Sequence, residues 1–405
     1  MLDTQKSFKF LTCSSLMAFG FFGSLGFLLA FILLLVFVVY SKNTNAIEEV
    51  SDNLSVSLYL LITAVFFFLF FRGITTHHYV DVIKSLAPMA PLPILGLLLL
   101  FSPSANYFIS ETQISLYAKI SVGFLSILII FLTNLSPMLL PENLKITSRS
   151  SLLTGNPVIF STIVIGLSLL CLTTWHQEKK TKKLLSFFVA IVGFYIAVFL
   201  TSTRGALITF LLIAPILIWY LSDTIKKFLL ILSGLILLIF LIIFLDLTGF
   251  ARITFLNNFI DSILHLTKNN YLDHSNSTRL GLWRASLIAI TDAPIFGYGI
   301  TEKMSAIRPH LTISINPNFS HPHNDIFAGT IGGGVLAGLF SLFSLCSPIF
   351  AHLFNPNRTN NTLFMAIGLS ISFLVTANVN TIFFNDAACA WLIFSTFLIW
   401  RLKKG

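Results

Sequence analysis

Charged residues are scarce in this chain. Only 10% of its 405 residues are Asp, Glu, Lys or Arg, whereas 56% are hydrophobic. A soluble globular domain carries about 25% charged residues, so this composition excludes a soluble protein and indicates an integral membrane protein. Phenylalanine is abundant, with 42 residues, and suits surfaces that face lipid. We therefore expect membrane lipids to surround much of the chain.

Cysteine is also scarce, and the sequence lacks a strand pattern. The four cysteines, Cys13, Cys171, Cys346 and Cys389, all lie in apolar stretches, and none belongs to a Cys-x-x-Cys pair. Their spacing predicts neither a disulfide framework nor a zinc site. No period-two pattern typical of strands competes with the apolar runs. The sequence therefore predicts an all-α fold.

Long apolar runs are what the chain has instead. A helix needs about 20 apolar residues to cross the hydrocarbon, so the runs predict roughly 11 or 12 transmembrane helices, the first run being one long helix or two short ones. The runs lie at 8–40, 54–71, 86–101, 115–133, 157–175, 184–201, 205–221, 228–245, 326–350, 362–378 and 382–400. One long hydrophilic loop, 246–325, interrupts them.

The lysines predict the orientation of these helices. A net charge of +9 could indicate nucleic-acid binding, but the lysines cluster in short segments between apolar runs, at 176–183, 222–227 and 401–405. This is the positive-inside pattern, so we expect no nucleic-acid partner and place these segments in the cytoplasm. Counting crossings from them puts 201–206 and the loop 246–325 together at the opposite face.

Four parts follow from this organisation. They are N-terminal transmembrane helices in 1–150, transmembrane helices with the Arg204 motif in 151–245, a periplasmic loop with amphipathic helices in 246–325, and C-terminal transmembrane helices in 326–405. The topology of the first part stays open. Its basic segment 72–84 falls at the outer face if the first run crosses the membrane twice.

The stretch "TSTRGA" (201–206) contains the only charge between Lys183 and Asp223. An arginine at a helix junction can be a snorkelling residue that marks the interface. Gly205 favours a binding role, because it lets a backbone or a ligand approach closely, and the neighbouring hydroxyls suit an anion. A guanidinium binds phosphate bidentately and stays charged in a partly dry setting. We therefore predict that Arg204 binds a diphosphate at the membrane surface.

A second arginine opens an amphipathic segment of the long loop. Apolar residues recur at helical spacing in 279–290, and Ser277 or Thr278 is predicted to cap this helix. Arg279 would then lie in the first turn, which disfavours a cation, and a residue that breaks a local rule is a candidate for function. Arg284 is better explained as a solvated or ion-paired residue and is only a possible supporting residue.

The stretch "SHPHNDIF" (320–327) places two histidines directly before an apolar run. Histidine titrates near neutral pH, and His323 is predicted to accept a proton from a hydroxyl as a general base. Asn324 or Asp325 would fix its tautomer or cap the following helix. His321 is a possible supporting residue. As metal ligands the two histidines would need further partners, and no matching cluster of His, Cys or Glu is present, so we expect no metal.

Glycine is concentrated in the run that follows. Gly329, Gly332, Gly333, Gly334 and Gly338 lie within its first half. Small residues allow close packing of helices or the passage of a lipid chain. We therefore expect a slim helix directly after the histidines.

These segments together resemble the O-antigen ligase/polymerase superfamily, most of all the lipopolysaccharide O-antigen ligases. The resemblance rests on the order of a "GNP" helix entry (155–157), "STRGA" (202–206), one late outer loop with an early arginine and "FGYG" (296–299), and "HPHND" (321–325) before a glycine-rich helix. It spans roughly 150–345. The resemblance implies the fold of the integral-membrane (type C) glycosyltransferases.

The resemblance also implies a reaction. Ligases of this family transfer polysaccharide from an undecaprenyl diphosphate-linked O-antigen donor to a lipid A–core acceptor, at the periplasmic side of the bacterial inner membrane. Transfer would be inverting, metal-independent and free of cofactors. The two arginines and the histidine of the family match Arg204, Arg279 and His323, which the charge and topology arguments select independently.

Three other functions compete with the ligase. An O-antigen polymerase would use the same donor, and a protein O-oligosaccharyltransferase would use a different acceptor. A transporter would guide the anionic lipid without chemistry, but transporters commonly show internal repeats and helices broken at mid-membrane, and no repeat is visible here. The single long outer loop favours the ligase over the polymerase.

Overall fold

The protein is a bundle of α-helices. The computed structural model describes residues 53–75, 79–94, 109–139, 156–201, 203–222, 224–227, 229, 231, 233, 274–311 and 319–403. The predicted run 8–40, most of the run 228–245, the loop residues 246–273 and Ser202 lie outside the described residues. The prediction of four parts stays a prediction.

The helices are numbered in chain order. They are α1 Asn53–Ile74, α2 Tyr79–Leu86, α3 Glu111–Leu139, α4 Pro157–Cys171, α5 Lys180–Tyr195, α6 Arg204–Leu221, α7 His274–Asp292, α8 Lys303–Ile307, α9 Asp325–Leu345, α10 Ser347–Phe354, α11 Asn360–Val379 and α12 Asp386–Arg401. A π-helical turn, Ile196–Leu200, continues α5. Two short strands, Ile109–Ser110 and Leu402–Lys403, pair in parallel.

Seven of the described helices are long and apolar enough to cross a membrane, namely α1, α3, α4, α5, α6, α9 and α11. This confirms the prediction of an all-α, multi-pass membrane protein. The run predicted at 382–400 forms α12, which has 16 residues. Its side chains are almost all buried, as is typical of a helix that is apolar on every side and lies in a protein core.

The "GNP" stretch begins α4 for a local chemical reason. Asn156 is the N-cap, and its side-chain oxygen accepts a hydrogen bond of 3.0 Å from the backbone N–H of Val158. Pro157 occupies the first turn, where its missing N–H costs nothing. These two residues fix where α4 starts.

Two of the lysine-rich segments meet at one end of the bundle, which we call the lysine end. Nε2 of His176 donates a hydrogen bond of 2.7 Å to the carbonyl of Tyr220, and Nε1 of Trp175 donates one of 3.3 Å to the carbonyl of Leu221. The Nζ of Lys183 lies 5.4 Å from the ring centroid of Trp175. The prediction that 176–183 and 222–227 share one face is thereby confirmed.

A buried carboxylate joins three segments at the lysine end. Glu111, at the start of α3, is 0% exposed. Its carboxylate accepts hydrogen bonds from Thr359 Oγ1 and Asn361 Nδ2, both of 2.7 Å, and from Gln177 Nε2, of 2.5 Å. A buried charge is tolerated when it is fully hydrogen-bonded. Glu111 therefore holds α3, the turn after α4 and the start of α11 together.

The glycine-rich run 326–350 is not the continuous helix that we expected. Within α9, Gly334 adopts φ 78° and ψ −175°, a conformation that essentially only glycine adopts. The break admits the backbone of the segment after α7. The N–H of Tyr298 donates to the carbonyl of Ile331 at 2.7 Å, and the N–H of Val335 donates to the carbonyl of Pro294 at 2.8 Å. Close approach of a backbone explains Gly334, whereas Gly332 and Gly333 lie against Leu69 of α1, as the prediction of close helix packing requires.

Arg72 ties the front of the chain to the same segment. At the last turn of α1, its Nε donates a hydrogen bond of 3.0 Å to the carbonyl of Phe296, and its guanidinium lies 5.6 Å from the centroid of the Phe296 ring. The end of α1 therefore lies beside the stretch that follows α7. Because the charge of Arg72 is used in this contact, its presence does not indicate that the C-terminal end of α1 lies at the lysine end.

Candidate functional site

The start of α6 is packed tightly at the end of the bundle opposite the lysine end. A Cβ on Gly205 would lie 2.7 Å from Cγ2 of Val379 in α11 and 3.9 Å from Cγ1 of Val158 in α4. Gly205 therefore allows close contact between helices, which is one of the two roles predicted for it. Arg204, the first residue of α6, is half-buried beside this contact. We call this end of the bundle the site end.

Arg279 reaches the same point from α7. Its Nε donates a hydrogen bond of 3.2 Å to the carbonyl of Val379. This carbonyl belongs to the last residue of α11, where helix carbonyls lack intrahelical partners and a cation is electrostatically favoured. The guanidinium group of Arg279 is thus held at the C-terminal end of α11.

The predicted start of this helix is wrong. α7 begins at His274, so neither Ser277 nor Thr278 caps it, and Arg279 lies in the second turn rather than the first. Ser and Asn cost only about 0.7 kcal/mol or less per residue in a helix, so the polar stretch before Leu280 does not end it. The case for Arg279 now rests on its position at the site end.

Asn324 anchors the histidine segment to α11. As the N-cap of α9, its Oδ1 accepts a hydrogen bond of 3.0 Å from the N–H of Phe327, which confirms the predicted cap. Its Nδ2 donates a hydrogen bond of 2.8 Å to Oδ1 of Asn378. The next residue along α11 is Val379, which Gly205 and Arg279 contact. The three sequence motifs therefore converge on the last turn of α11, and the prediction that they share one end is confirmed.

His323 has an unusual backbone and a buried ring. Its φ is 55°, and it is the only residue other than glycine with positive φ among the described residues. Its ring centroid lies 5.3 Å from that of Phe319 and 4.5 Å from that of His321. Its Nδ1 is buried, and no described residue forms a hydrogen bond with it. Left-handed backbone costs a residue with a Cβ about 1–2 kcal/mol, so the surrounding contacts must hold His323 in place.

The charge of His323 is suppressed. Burial, and after it the positive charge of Arg279, lower the pKa of His323 to about 4. The imidazole is therefore neutral at neutral pH. A neutral imidazole carries a lone pair and can accept a proton.

His321 has a buried environment similar to that of His323. Its ring stacks on Phe384, with centroids 6.2 Å apart, and its Nδ1 lies 3.0 Å from the hydroxyl of Ser320. Its Nε2 is buried, with no hydrogen-bond partner among the described residues. Burial, then the nearby His323 and Lys303, lower the pKa of His321 to about 4.

Asp325 does not cap α9, contrary to one of its predicted roles. It is 1% exposed, and its Oδ2 accepts a hydrogen bond of 2.5 Å from the N–H of Ile382. Asn324 already occupies the cap, so Asp325 is the first helical residue and reaches the turn between α11 and α12. Its Oδ1 is buried without a hydrogen bond to any described residue. Arg284, the other possible supporting residue, is exposed, which favours its interpretation as a solvated residue.

Lys303 is a site residue that the sequence did not separate from the other cations of its loop. It is only 5% exposed, and its Nζ lies 3.4 Å from the ring centroid of Phe384. Burial lowers the pKa of Lys303 to about 7, although the charge of Asp325 opposes this shift. No local pattern distinguishes Lys303 from Arg308, a cation of the same loop that is exposed. Only the tertiary contacts separate the two.

The fold is that of a polytopic membrane protein, and part of the chain is similar to the O-antigen ligases. The family model described as O-antigen ligase matches residues 185–342, which confirms the resemblance to that superfamily. The matched segment contains Arg204, Arg279, Lys303 and His323.

A curated protein of Haemophilus influenzae (strain ATCC 51907 / DSM 11121 / KW20 / Rd), with the name "Uncharacterized protein", is similar to part of this chain. The two are 25% identical over 187 residues. The similar region covers 45% of this chain and 47% of the relative. The chain thus spans about half the length of the curated relative that it matches.

Proposed function

We propose that the protein is an O-antigen ligase. It transfers polysaccharide from undecaprenyl diphosphate to the lipid A–core oligosaccharide. The observation that carries this proposal is the convergence of the Arg204, Arg279 and His323 segments on the last turn of α11. Two guanidinium groups and one neutral imidazole then lie together at one end of a membrane bundle, which suits a lipid diphosphate as the leaving group.

The arginines stabilise the charge that develops during transfer. The bond between the anomeric carbon and the diphosphate breaks, and the leaving diphosphate gains negative charge. Arg204 and Arg279 are positioned to bind it where water is scarce, and preorganised charges act strongly in such a setting. The diphosphate leaving group supplies the driving force, so no nucleotide is needed, and in this proposal Arg204 and Arg279 offset the developing charge without a metal ion.

His323 removes the proton from the acceptor hydroxyl. In the ligand-free protein its pKa of about 4 makes it a weak base. A diphosphate bound to Arg279 neutralises the charge that contributes to this low pKa, so donor binding strengthens the base. The hydroxyl oxygen then attacks the anomeric carbon from the side opposite the diphosphate, which inverts its configuration.

The site end faces the periplasm of the bacterial inner membrane in this proposal. The lysine end carries 176–183 and 222–227, and lysines are enriched on the cytoplasmic side of membrane proteins. The site end is opposite, where a lipid-linked donor and a lipid A–core acceptor would meet.

Gel analysis of lipopolysaccharide from a deletion strain tests this function. We expect the loss of all long chains together with accumulation of lipid-linked polymer, and restoration by the intact gene. Core carrying a single repeat unit would instead identify a polymerase. Unchanged lipopolysaccharide with altered glycoproteins would indicate a protein O-oligosaccharyltransferase.

Arg204→Lys should lower the transfer rate by about 10–100-fold, somewhat less than the loss typical for removing one charge-stabilising donor. Lysine keeps the charge but cannot form the bidentate contact of a guanidinium. The rate is measured with purified donor and acceptor in proteoliposomes.

Arg308→Lys is the matched control for this substitution, because Arg308 is exposed. It should keep the native rate. A native rate for Arg204→Lys would show that Arg204 only marks the membrane interface.

A further inference from the structure

Lys303 is buried without a salt bridge. Among the residues that the structure describes, no carboxylate lies within salt-bridge distance of its Nζ, which lies 3.4 Å from the ring centroid of Phe384. Burying an ammonium group without a close anion is costly. The ring of Phe384 and the charge of Asp325 act on this ammonium group, and a close anion would stabilise it further.

Two cations flank the histidine pair. The charge of Lys303 acts on His321, and the charge of Arg279 acts on His323, while the two imidazole rings are 4.5 Å apart. The ring of Phe384 contacts both Lys303 and His321. Lys303 thus belongs to the same site as Arg279, on the other side of the histidines.

The charges near the histidines are unbalanced. Arg204, Arg279 and Lys303 are cationic groups of the site, whereas Asp325 is the carboxylate that acts on Lys303. A diphosphate diester carries two negative charges, which these cationic groups would offset.

We propose that Lys303 is a third diphosphate-binding cation of the site, across the histidine pair from Arg279. This inference rests on the proposed function and names a further residue that binds the donor. The anion supplies the close negative charge that the buried ammonium group lacks. Binding therefore favours the protonated form of Lys303, and the protein takes up a proton from solvent as the donor binds.

The affinity for a diphosphate diester at different pH values tests this inference. The probe is P1-farnesyl-P2-glucosyl diphosphate, whose two phosphates each keep one charge between pH 7 and pH 9, and the full chain is studied in lipid nanodiscs by titration calorimetry. The pKa of free Lys303 is about 7, so native affinity should be highest near pH 7 and fall by up to about tenfold per pH unit above it, the limit for one linked proton.

Lys303→Arg keeps a permanent charge, so it should bind the probe with little dependence on pH. Lys303→Met removes the charge but keeps the apolar stem, and it should bind about tenfold or more weakly. His321 has a pKa of about 4 and stays neutral in this range. Asp325 also faces Lys303, and Asp325→Asn should retain the pH dependence if Lys303 is the group that titrates.

Arg308→Met is the control for loss of a nearby cation and should bind the probe as the native protein does. Native affinity in Lys303→Met, or an unchanged pH dependence in Lys303→Arg, would overturn the inference while leaving the proposed function intact. Absence of binding to the native protein would overturn both. If Lys303→Met does not fold, the pH dependence of binding in Lys303→Arg still decides whether Lys303 binds the diphosphate.

Discussion

Polysaccharide transfer falls by about 10²–10⁴-fold when His323 is replaced by asparagine, the range expected for loss of a general base. Asparagine is the informative substitution because it tolerates left-handed backbone better than most residues, and His323 has a φ of 55°. Alanine would remove the base and strain the backbone together. The measurement is the initial rate with purified donor and acceptor in proteoliposomes, with the melting temperature recorded in parallel.

His310→Asn is the matched control. His310 lies 3.4 Å from Asp292 and outside the site, so this variant should retain native transfer. His323→Gly provides a second test, because added imidazole should restore part of its rate by occupying the vacated space. A native rate in His323→Asn, with folded protein, would remove the general-base role.

Gly334→Ala should destabilise the protein by about 2–6 kcal/mol, from about 1–3 kcal/mol of backbone strain and two hydrogen bonds of about 0.5–1.5 kcal/mol each. Its φ of 78° disfavours any residue with a Cβ, and the added Cβ would overlap the carbonyl oxygen of Ile295. The chain around Ile295 would have to withdraw and lose two bonds, from Val335 N–H to the Pro294 carbonyl and from Tyr298 N–H to the Ile331 carbonyl.

Gly123→Ala is the control for adding a methyl group to a membrane helix. Nothing lies within 4 Å of a Cβ at Gly123, and alanine is favoured over glycine in a helix by about 1 kcal/mol. This variant should melt at or above the native temperature in detergent. Equal melting temperatures for Gly334→Ala and Gly123→Ala would contradict the structural role of the break in α9.

The helical membrane fold was predictable because lipid imposes a simple rule on sequence. A spanning helix must be apolar over its length. Lysines are enriched in the cytoplasmic segments between helices, so their positions indicate the orientation. Arg204 and His323 were also identifiable, because a polar group at the edge of an apolar run is costly and therefore conspicuous. Asn324 was predicted as a cap from its position directly before such a run, and its hydrogen bond to Phe327 confirms this.

Features that depend on distant contacts were not predictable. The break at Gly334 exists because the backbone near Pro294 approaches it, and the glycine pattern alone is equally compatible with a slim, continuous helix. Lys303 is a loop lysine by sequence and becomes a buried cation only through the ring of Phe384, 81 positions further along the chain. The roles of Arg204, Arg279 and His323 in the reaction stay predictions for the variants above to test.

Glu111 sets an order for the assembly of the chain during synthesis. Its partners Thr359 and Asn361 follow it by 248 and 250 positions, so the ribosome has completed most of the protein before they emerge. Until then the carboxylate cannot have its final set of hydrogen bonds. A chain that terminates before Thr359 would leave Gln177 as the one partner among these three, so the buried end of α3 would lack most of the hydrogen bonds that hold it.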